Sequence, residues 1–297
     1  MSEHVSVLPA EAIELLRPRP GARMLDGTLG GGGHARLLLE HLAPGGVLVG
    51  LDRDPEAVER VSRALAPFGE AFRARCADFA DLGAALDAEG IDRVDGILLD
   101  LGLSSLQIED AARGFSFSLE GPLDMRFDRR GGRSAADLLA RLREEEIADL
   151  IWRYGEERAS RRLARAIVRR RREQPLRTTG ELADLAARTV PRRGRGRRAL
   201  HPATRLFQAL RIAVNGELDS LERALQEAPE RLAPDGRLVV ISFHSLEDRI
   251  VKHRFRELAR SGGFRILTRK PLRPSAAETE RNPRSRSARL RALERAA

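Results

Sequence analysis

The chain has 297 residues, enough for one large domain with an insertion or for two domains of ordinary size. Apolar content of 42% supports a packed core, but only 4% of residues are aromatic, so Leu, Val, Ala and Ile must build it. A single cysteine, Cys76, excludes an internal disulfide and a cysteine-clustered zinc site, and no metal is expected. The formal charge of +9 is unevenly laid out: the first 100 residues hold 10 basic and 17 acidic side chains, the remaining 197 hold 43 and 27. That polarity fits a small-molecule end followed by a polyanion-binding end. Arginine is preferred throughout, with Lys252 and Lys270 the only lysines, which accounts for part of the total charge but not for its distribution. The amino end shows no basic segment followed by a long apolar one, so no signal peptide is expected, and no apolar run approaches the roughly 20 residues that span a bilayer. A soluble, cytoplasmic protein without a membrane partner is the expectation.

In chain order, residues 9–16 have helical spacing and end at the turn 18–21. Residues 22–26 read as a strand, followed at once by Gly27-Thr28-Leu29-Gly30-Gly31-Gly32-Gly33-His34 and a helix over 35–42. A second strand, 47–51, leads to Asp52, and the alternation continues with a helix over 55–65, a strand over 72–76, a helix over 82–88 and a strand over 94–99 ending in Asp100. Such alternation predicts an α/β fold, a mostly parallel sheet with helices on both faces. From 106 to 215 the pattern has no convincing strand: a Gly/Phe/Ser-rich loop (113–133) is followed by helices over 135–142, 144–153, 157–172, 179–189 and 202–212. A strand-free region of this length predicts a helical insert. The sheet pattern then resumes with a helix over 217–228, a turn at Pro234-Asp235-Gly236, a strand over 237–243, a helix over 246–259 and an edge strand over 264–268. From Lys270 onward the Pro/Arg/Ser-rich chain is expected to meander over the surface. The implied organisation is a first sheet segment (1–105), a helical insert (106–215) that is the candidate for RNA recognition, and a second sheet segment with a basic tail (216–297).

A strand running into a glycine-rich turn and a helix places a ligand against bare backbone. The spacing is not that of a dinucleotide fingerprint, and no Lys-Ser/Thr pair follows as in a phosphate-binding P-loop. Asp26 stands where a nicotinamide fold usually has glycine, so a cofactor with a charged amino-acid portion fits better than phosphate. Asp52, about 20 residues on, is placed to accept both ribose hydroxyls of a nucleoside. Asp78-Phe79 offers a carboxylate and an aromatic face for the adenine. Taken singly, Asp26 could cap its turn, Phe79 could be core, and Asp52-Arg53-Asp54-Pro55 could be a helix start. Together, at the carboxyl ends of successive strands, they point to a class I S-adenosylmethionine-dependent methyltransferase, Rossmann-like, with an inserted all-helical domain. The end of the fourth strand, Asp100 with Ser104 and Ser105 beyond it, supplies the candidate catalytic residues. An amine whose lone pair is delocalised needs an acceptor for its N–H and in-line positioning more than a strong base. His244, Ser245, Glu247 and Asp248 lack the glycine-flanked serine elbow of a hydrolase and are read as pocket or helix-capping residues.

Several strings, in one order over almost the full length, resemble the bacterial ribosomal RNA small subunit methyltransferase H family. They are His4-Val5-Ser6-Val7-Leu8, the glycine string 26–34, Asp100-Leu101-Gly102-Leu103-Ser104-Ser105, Gly121-Pro122-Leu123-Asp124-Met125-Arg126, the string 209–218, Ile241-Ser242-Phe243-His244-Ser245 with its continuation to Arg249, and the string 282–291. The resemblance implies transfer of methyl from S-adenosylmethionine to N4 of a decoding-centre cytidine in 16S rRNA. It implies cofactor contacts at Gly32, Gly33, His34, Asp52, Phe79, Asp100 and Gln107, to which strand-end logic adds Asp26. It also implies a cytoplasmic enzyme acting on the small ribosomal subunit and leaves room for a homodimer. Three rivals remain at this level: an RNA methyltransferase, a methyltransferase of a DNA amine or small molecule, and a non-catalytic RNA-binding protein. Asp100-Leu101-Gly102-Leu103 departs from the Asp/Asn-Pro-Pro-aromatic loop of DNA amino-methyltransferases.

Three arginine clusters are candidates for RNA. Arg192, Arg193, Arg195, Arg197 and Arg198 are separated by glycines, as in a loop that drapes on RNA, and Arg284, Arg286 and Arg289 lie in the carboxyl-terminal string. The cluster 169–172 reads equally well as a solvated helix end, favourable against the dipole.

Overall fold

Short aliphatic runs of the chain become the strands of one seven-stranded sheet in the computed structural model, which describes residues 6–190 and 201–297. The strands are β1 (Arg23–Asp26), β2 (Val47–Asp52), β3 (Phe72–Cys76), β4 (Val94–Asp100), β5 (Leu232–Ser242), β6 (Phe264–Ile266) and β7 (Arg289–Arg295). The helices are α1 (Pro9–Leu16), α2 (Gly33–Leu42), α3 (Pro55–Leu65), α4 (Leu82–Asp87), α5 (Ser105–Glu109), α6 (Ala135–Arg141), α7 (Glu144–Gly155), α8 (Ser160–Glu173), α9 (Thr179–Thr189), α10 (Ala203–Asn215), α11 (Glu217–Glu227), α12 (Ser245–Ser261) and α13 (Ala276–Arg281). The chain divides into two compact units, one of residues 1–104 and 218–297, the other of residues 105–217.

In the first unit the strand order is β3-β2-β1-β4-β5-β7-β6; β1 to β5 run parallel and β7 runs antiparallel to both its neighbours. This is the class I methyltransferase sheet, Rossmann-like and mostly parallel, that the strand ends lead one to expect. The direction of winding reverses between β1 and β4, so their carboxyl ends flank a crevice, the usual ligand position in such sheets. Side chains alternate between two aliphatic layers. Leu25, Val49, Ile97, Leu99, Leu238 and Val240 pack with α4, α11 and α12, while Met24, Leu48, Leu98, Val239 and Ile241 pack with α1, α2 and α3. Several caps follow from sequence: the Asp54 side chain accepts from Glu56 N–H at the start of α3, and Ser134, Thr178 and His244 each form a capping box.

The tail corrects the sequence reading. Residues 289–295 do not wander over the surface but form β7, whose five central residues are buried between β5 and β6. Its arginines read as exposed because their partners are distant in sequence. Arg237 on β5 donates from Nε to Glu294 Oε2 (2.9 Å) and from Nη1 to the Leu15 carbonyl (2.8 Å), and Arg265 reaches Glu294 Oε1 (2.6 Å). β5 also begins earlier than expected, at Leu232; the turn residues 234–236 form an irregularity inside the strand, where the register against β4 shifts and Asp235 takes φ 60°. Helix α8 begins at Ser160 and not at Glu157, because the Glu157 carboxylate is turned back onto the Ala159 N–H (2.8 Å).

In the second unit the only β-bridge among the described residues is the one between Pro122 and Thr178. Two distant strings meet at the buried Asn215: its Oδ1 accepts from Phe127 N–H (2.9 Å), and its Nδ2 donates to the carbonyls of Met125 (2.8 Å) and Arg211 (2.9 Å). The loop is further held by Arg113, buried, which donates to the Phe127 carbonyl (2.8 Å). No helix among the described residues is long and apolar enough to cross a membrane.

Removing one partner of a buried ion pair leaves the other charge uncompensated. Glu294→Ala is therefore expected to lower unfolding stability by about 3 kcal/mol, seen as a lower denaturant midpoint, and Arg237→Met with Glu294→Leu to recover most of the loss. A Glu294→Ala protein as stable as its parent would show that the pair does not hold β7.

Candidate active site

The crevice is organised by the turn between β1 and α2. Asp26 closes β1, fully buried, and its Oδ1 accepts from Thr28 N–H (3.0 Å). Thr28 Oγ1 in turn accepts from the Asp100 N–H (2.7 Å), tying the ends of β1 and β4 together. The backbone of the turn lies close to its surroundings: a Cβ on Gly27 would come 2.5 Å from Leu99 Cδ2 and 3.0 Å from Phe79 Cβ. Gly32 caps α2 in the left-handed region, φ 81°, a conformation that favours glycine. The turn is also fastened to β2. Asp52 accepts from Gly30 N–H through Oδ2 (2.8 Å) and from Asp54 N–H through Oδ1 (2.9 Å), and Arg60 donates to the Gly30 carbonyl (3.3 Å).

Three carboxylates and one imidazole meet here with little solvent. Burial pushes the Asp26 carboxyl up to about 6; His34 and the Thr28 N–H moderate the rise, and Asp100 and Asp52 add repulsion. Burial likewise raises Asp52, against the opposing N–H groups of Asp54 and Gly30. His34 is clamped between Val7 and Asp100, with Nε2 3.0 Å from the Val7 carbonyl oxygen and Nδ1 3.4 Å from Asp100 Oδ2. A carbonyl at one nitrogen and a carboxylate at the other are both satisfied only by the doubly protonated ring. Burial opposes that charge, but the hydrogen bond and charge of Asp100, with Asp26 behind it, hold the imidazole above its ordinary value. Asp26 Oδ2 and Asp100 Oδ1 are buried without a hydrogen-bond partner among the described residues. Such acceptors are costly unless something donates to them, so the crevice suits a ligand bearing positive charge and N–H or O–H groups.

The end of β5 is built differently. Glu247 Oε2 accepts from the N–H groups of Phe243 (2.8 Å) and His244 (3.1 Å), and Asp248 binds Arg289 (2.9 Å) and Arg291 (2.7 Å) of β7. Against the opposing effect of burial, Arg291 and Arg289 hold the Asp248 carboxyl below the usual carboxylate range. The four residues 244, 245, 247 and 248 are thus a helix start and a sheet anchor, with His244 in a capping box.

The sheet brings Asp26, Gly32, Gly33, His34, Asp52 and Asp100 to one edge, and Ser104, buried, lies over Gly30. Phe79, half-buried, follows β3 and packs on the aliphatic layer as well as beside Gly27. Asp78 is turned to structural use, accepting from Ala80 N–H (2.9 Å) and Ser220 Oγ (2.7 Å). Ser105 and the buried Gln107 belong to α5, at the start of the second unit. Arg284 and Arg286 are exposed in the turn Pro283–Ser287, whereas Arg289 opens β7 with its guanidinium on Asp248. Arg192, Arg193, Arg195, Arg197 and Arg198 lie outside the described residues. Among the described residues no group of three or more His, Cys, Asp or Glu could hold a metal ion.

Sequence reasoning missed the leader. Ser6 sits against Gly33, the Val7 carbonyl takes His34, and Leu8 N–H donates to Glu278 Oε1 (2.8 Å). The signal was the string His4-Val5-Ser6-Val7-Leu8, which had no role attached. Thr28 was missed too: an Asp side chain turned onto the N–H two residues on is a recurrent turn device, but the hydroxyl's partner, the Asp100 N–H, is 72 residues away.

The model of the MraW methylase family matches residues 1–296 of this chain. The ribosomal RNA small subunit methyltransferase H of Pelobacter propionicus is 52% identical, over 99% of this chain and 98% of that protein. The protein of the same name from Thermomicrobium roseum is 50% identical, over 99% and 94% respectively. A solved rRNA methylase from Streptococcus thermophilus aligns with a TM-score of 0.46 at 10% identity, over 97% of this chain and 94% of that one.

Because its folded value is raised, Asp26 weighs against folding progressively as pH climbs from 3.8 to about 6, and fully above that. Asp26→Asn keeps an oxygen for Thr28 and is expected to raise stability at pH 7 by up to about 3 kcal/mol, with little change near the unfolded value. Thermal unfolding of the two proteins at both pH values checks this; equal stability throughout would contradict it.

Proposed function

Since this chain belongs to the MraW methylase family, we propose that it transfers a methyl group from S-adenosylmethionine to the N4 amino group of a cytidine in 16S rRNA of the small ribosomal subunit, at the decoding centre. The observation that carries the reading is the pair of buried, unpartnered oxygens, Asp26 Oδ2 and Asp100 Oδ1, beside the bare glycine turn. S-adenosylmethionine has an ammonium, a positive sulfonium and two ribose hydroxyls, which match acceptors and negative charge and would not suit an anionic phosphate cofactor. When bound, it supplies a methyl group already activated on sulfur. Asp26 would face the cationic amino-acid portion, backed by the backbone of Gly32 and Gly33. Each oxygen of Asp52 takes one backbone N–H and keeps a lone pair for a ribose hydroxyl. Phe79 would flank the adenine, and Gln107 completes the contacts that the resemblance implies.

Asp100 would accept an N–H of the cytosine amino group through Oδ1, turning the nitrogen lone pair toward the methyl. His34, bonded to Asp100 Oδ2, fixes the orientation of the carboxylate as an acceptor. The bound cofactor would supply its methyl to the nitrogen so positioned, with its sulfur as leaving group, and the extra proton of the amine would pass to water. Ser104 and Ser105 would border the reacting group. Arg284, Arg286 and the arginines of 192–198 would contact rRNA backbone, while Arg289 already serves Asp248.

Labelled methyl from S-adenosylmethionine, offered with purified small subunits, naked 16S rRNA or DNA, tests the proposal by nucleoside analysis. Label recovered as N4-methylcytidine at one 16S position is the expected result; label in another nucleoside, or in DNA alone, would contradict it. Asp52→Ala is expected to weaken cofactor binding by roughly 10- to 100-fold. Asp100→Ala is expected to lower kcat by roughly 100-fold even at saturating cofactor. Full rate at saturating cofactor in the Asp100 variant would remove Asp100 from the reaction.

A further inference from the structure

Helix α8 of the second unit has two unlike faces. Leu163, Ala164, Ile167 and Val168 are buried, and the helix packs with α7 and α9. Opposite them, Arg161, Arg165, Arg169 and Arg172 are exposed. Their spacing of four, four and three residues sets them on one stripe roughly 16 Å long.

Arginine is abundant in this chain, and several exposed guanidinium groups elsewhere are matched locally. Arg63 pairs with Glu59 (3.0 Å), Arg130 with Asp128 (2.8 Å), Arg143 with Glu146 (3.3 Å) and Arg223 with Asp81. On the α8 stripe only Arg165 reaches a carboxylate, Glu144 at 3.6 Å; Arg161, Arg169 and Arg172 have none among the described residues. Like charges at these spacings repel on a helix, a cost that a polyanion relieves. The last turn of α7, joined to α8 by residues 156–159, adds Trp152, 55% exposed, and Arg153, whose guanidinium lies 5.6 Å from the Tyr154 ring centre. An exposed indole on the helix that leads into an arginine stripe suits nucleic acid, in which phosphates take the cations and unstacked bases take the aromatic face.

We propose that the solvent face of α8, Arg161, Arg165, Arg169 and Arg172 with Trp152 at its end, binds the phosphodiester backbone of the RNA substrate without reading its sequence. The assignment rests on the rRNA methyltransferase reading above and adds to it a docking surface on the helical unit. It also resolves the double reading of the cluster 169–172: Arg170 and Arg171 turn to Gln174 and to the Leu139 carbonyl, and Arg169 and Arg172 face outward.

The test replaces the four stripe arginines together by glutamine, a good helix former, and compares a control of equal charge change, Arg63, Arg130, Arg143 and Arg223 to glutamine. Circular dichroism and cofactor affinity report folding. In the stripe variant, KM for small subunits is expected to rise roughly tenfold or more at about 0.1 M salt, with kcat unchanged. The slope of log affinity for 16S rRNA against log salt is expected to flatten by about 3, while the control keeps the parent KM and slope. A folded stripe variant with parental KM and slope overturns the proposal, as does a control that loses as much. Weaker binding with an unchanged salt slope overturns it as well, since the stripe would then contact protein. Should the fourfold variant not fold, Arg161→Gln with Arg165→Gln, and Arg169→Gln with Arg172→Gln, are each expected to flatten the slope by about half as much. If the parent methylates no RNA, the functional reading fails; the binding titrations need no turnover and still decide the surface.

Discussion

The protein depends on buried negative charge held open at the middle of a parallel sheet. Asp26 and Asp100 end adjacent strands, and Thr28 ties the two ends by accepting from Asp100 N–H while its own N–H serves Asp26. That arrangement fixes the carboxylates in place yet leaves one oxygen of each without a donor among the described residues. A sheet edge of this kind is unfavourable for folding and favourable for a cationic ligand, the usual sign of a site whose strain is compensated by binding. His34 partly neutralises the cluster from the protein side, and Asp52 is held ready by two backbone N–H groups.

Much of this was legible in the chain because it is local. Asp26, Asp52 and Asp100 terminate aliphatic runs of strand length, and the glycines of 27–33 follow one of them directly, so topology and crevice both follow from period and punctuation. The helical insert was legible for the same reason, as was the capping of α6 by Ser134 and α9 by Thr178. What stayed hidden depends on partners far away in sequence. Residues 289–295 alternate arginine and glutamate with Leu and Ala, and only Asp248 and Arg237, about 40 to 57 residues away, make that pattern a buried strand. The Val7 carbonyl that orients His34 lies 27 residues upstream in a leader with no periodicity of its own. Asn215, which ties the loop around Met125 and Phe127 to α10, lay past the expected helix end at 212 and had no role attached beyond its place in the string 209–218.

The charge distribution follows the sites of the acidic and basic side chains. The acidic first hundred residues supply three strand-end carboxylates to the crevice, and arginine accumulates afterwards. Those arginines serve two purposes. Arg237, Arg289 and Arg291 are internal struts of the sheet, while the stripe on α8 and the exposed Arg284 and Arg286 face solvent. Counting basic residues cannot separate the two groups; the position of carboxylates around each guanidinium does.

The claim that the crevice exchanges a proton for a cationic cofactor is tested most directly by calorimetry of S-adenosylmethionine binding in buffers of different ionisation enthalpy. With the Asp26 carboxyl near 6, binding at pH 6, where the cofactor's amino group is already fully protonated, is expected to release about half a proton, and the contribution of Asp26 is expected to vanish by pH 8. In Asp26→Asn the release at pH 6 should disappear. Proton release that is absent at pH 6, or equal in the parent and the Asp26 variant, would contradict the view that this buried charge is what the cofactor neutralises.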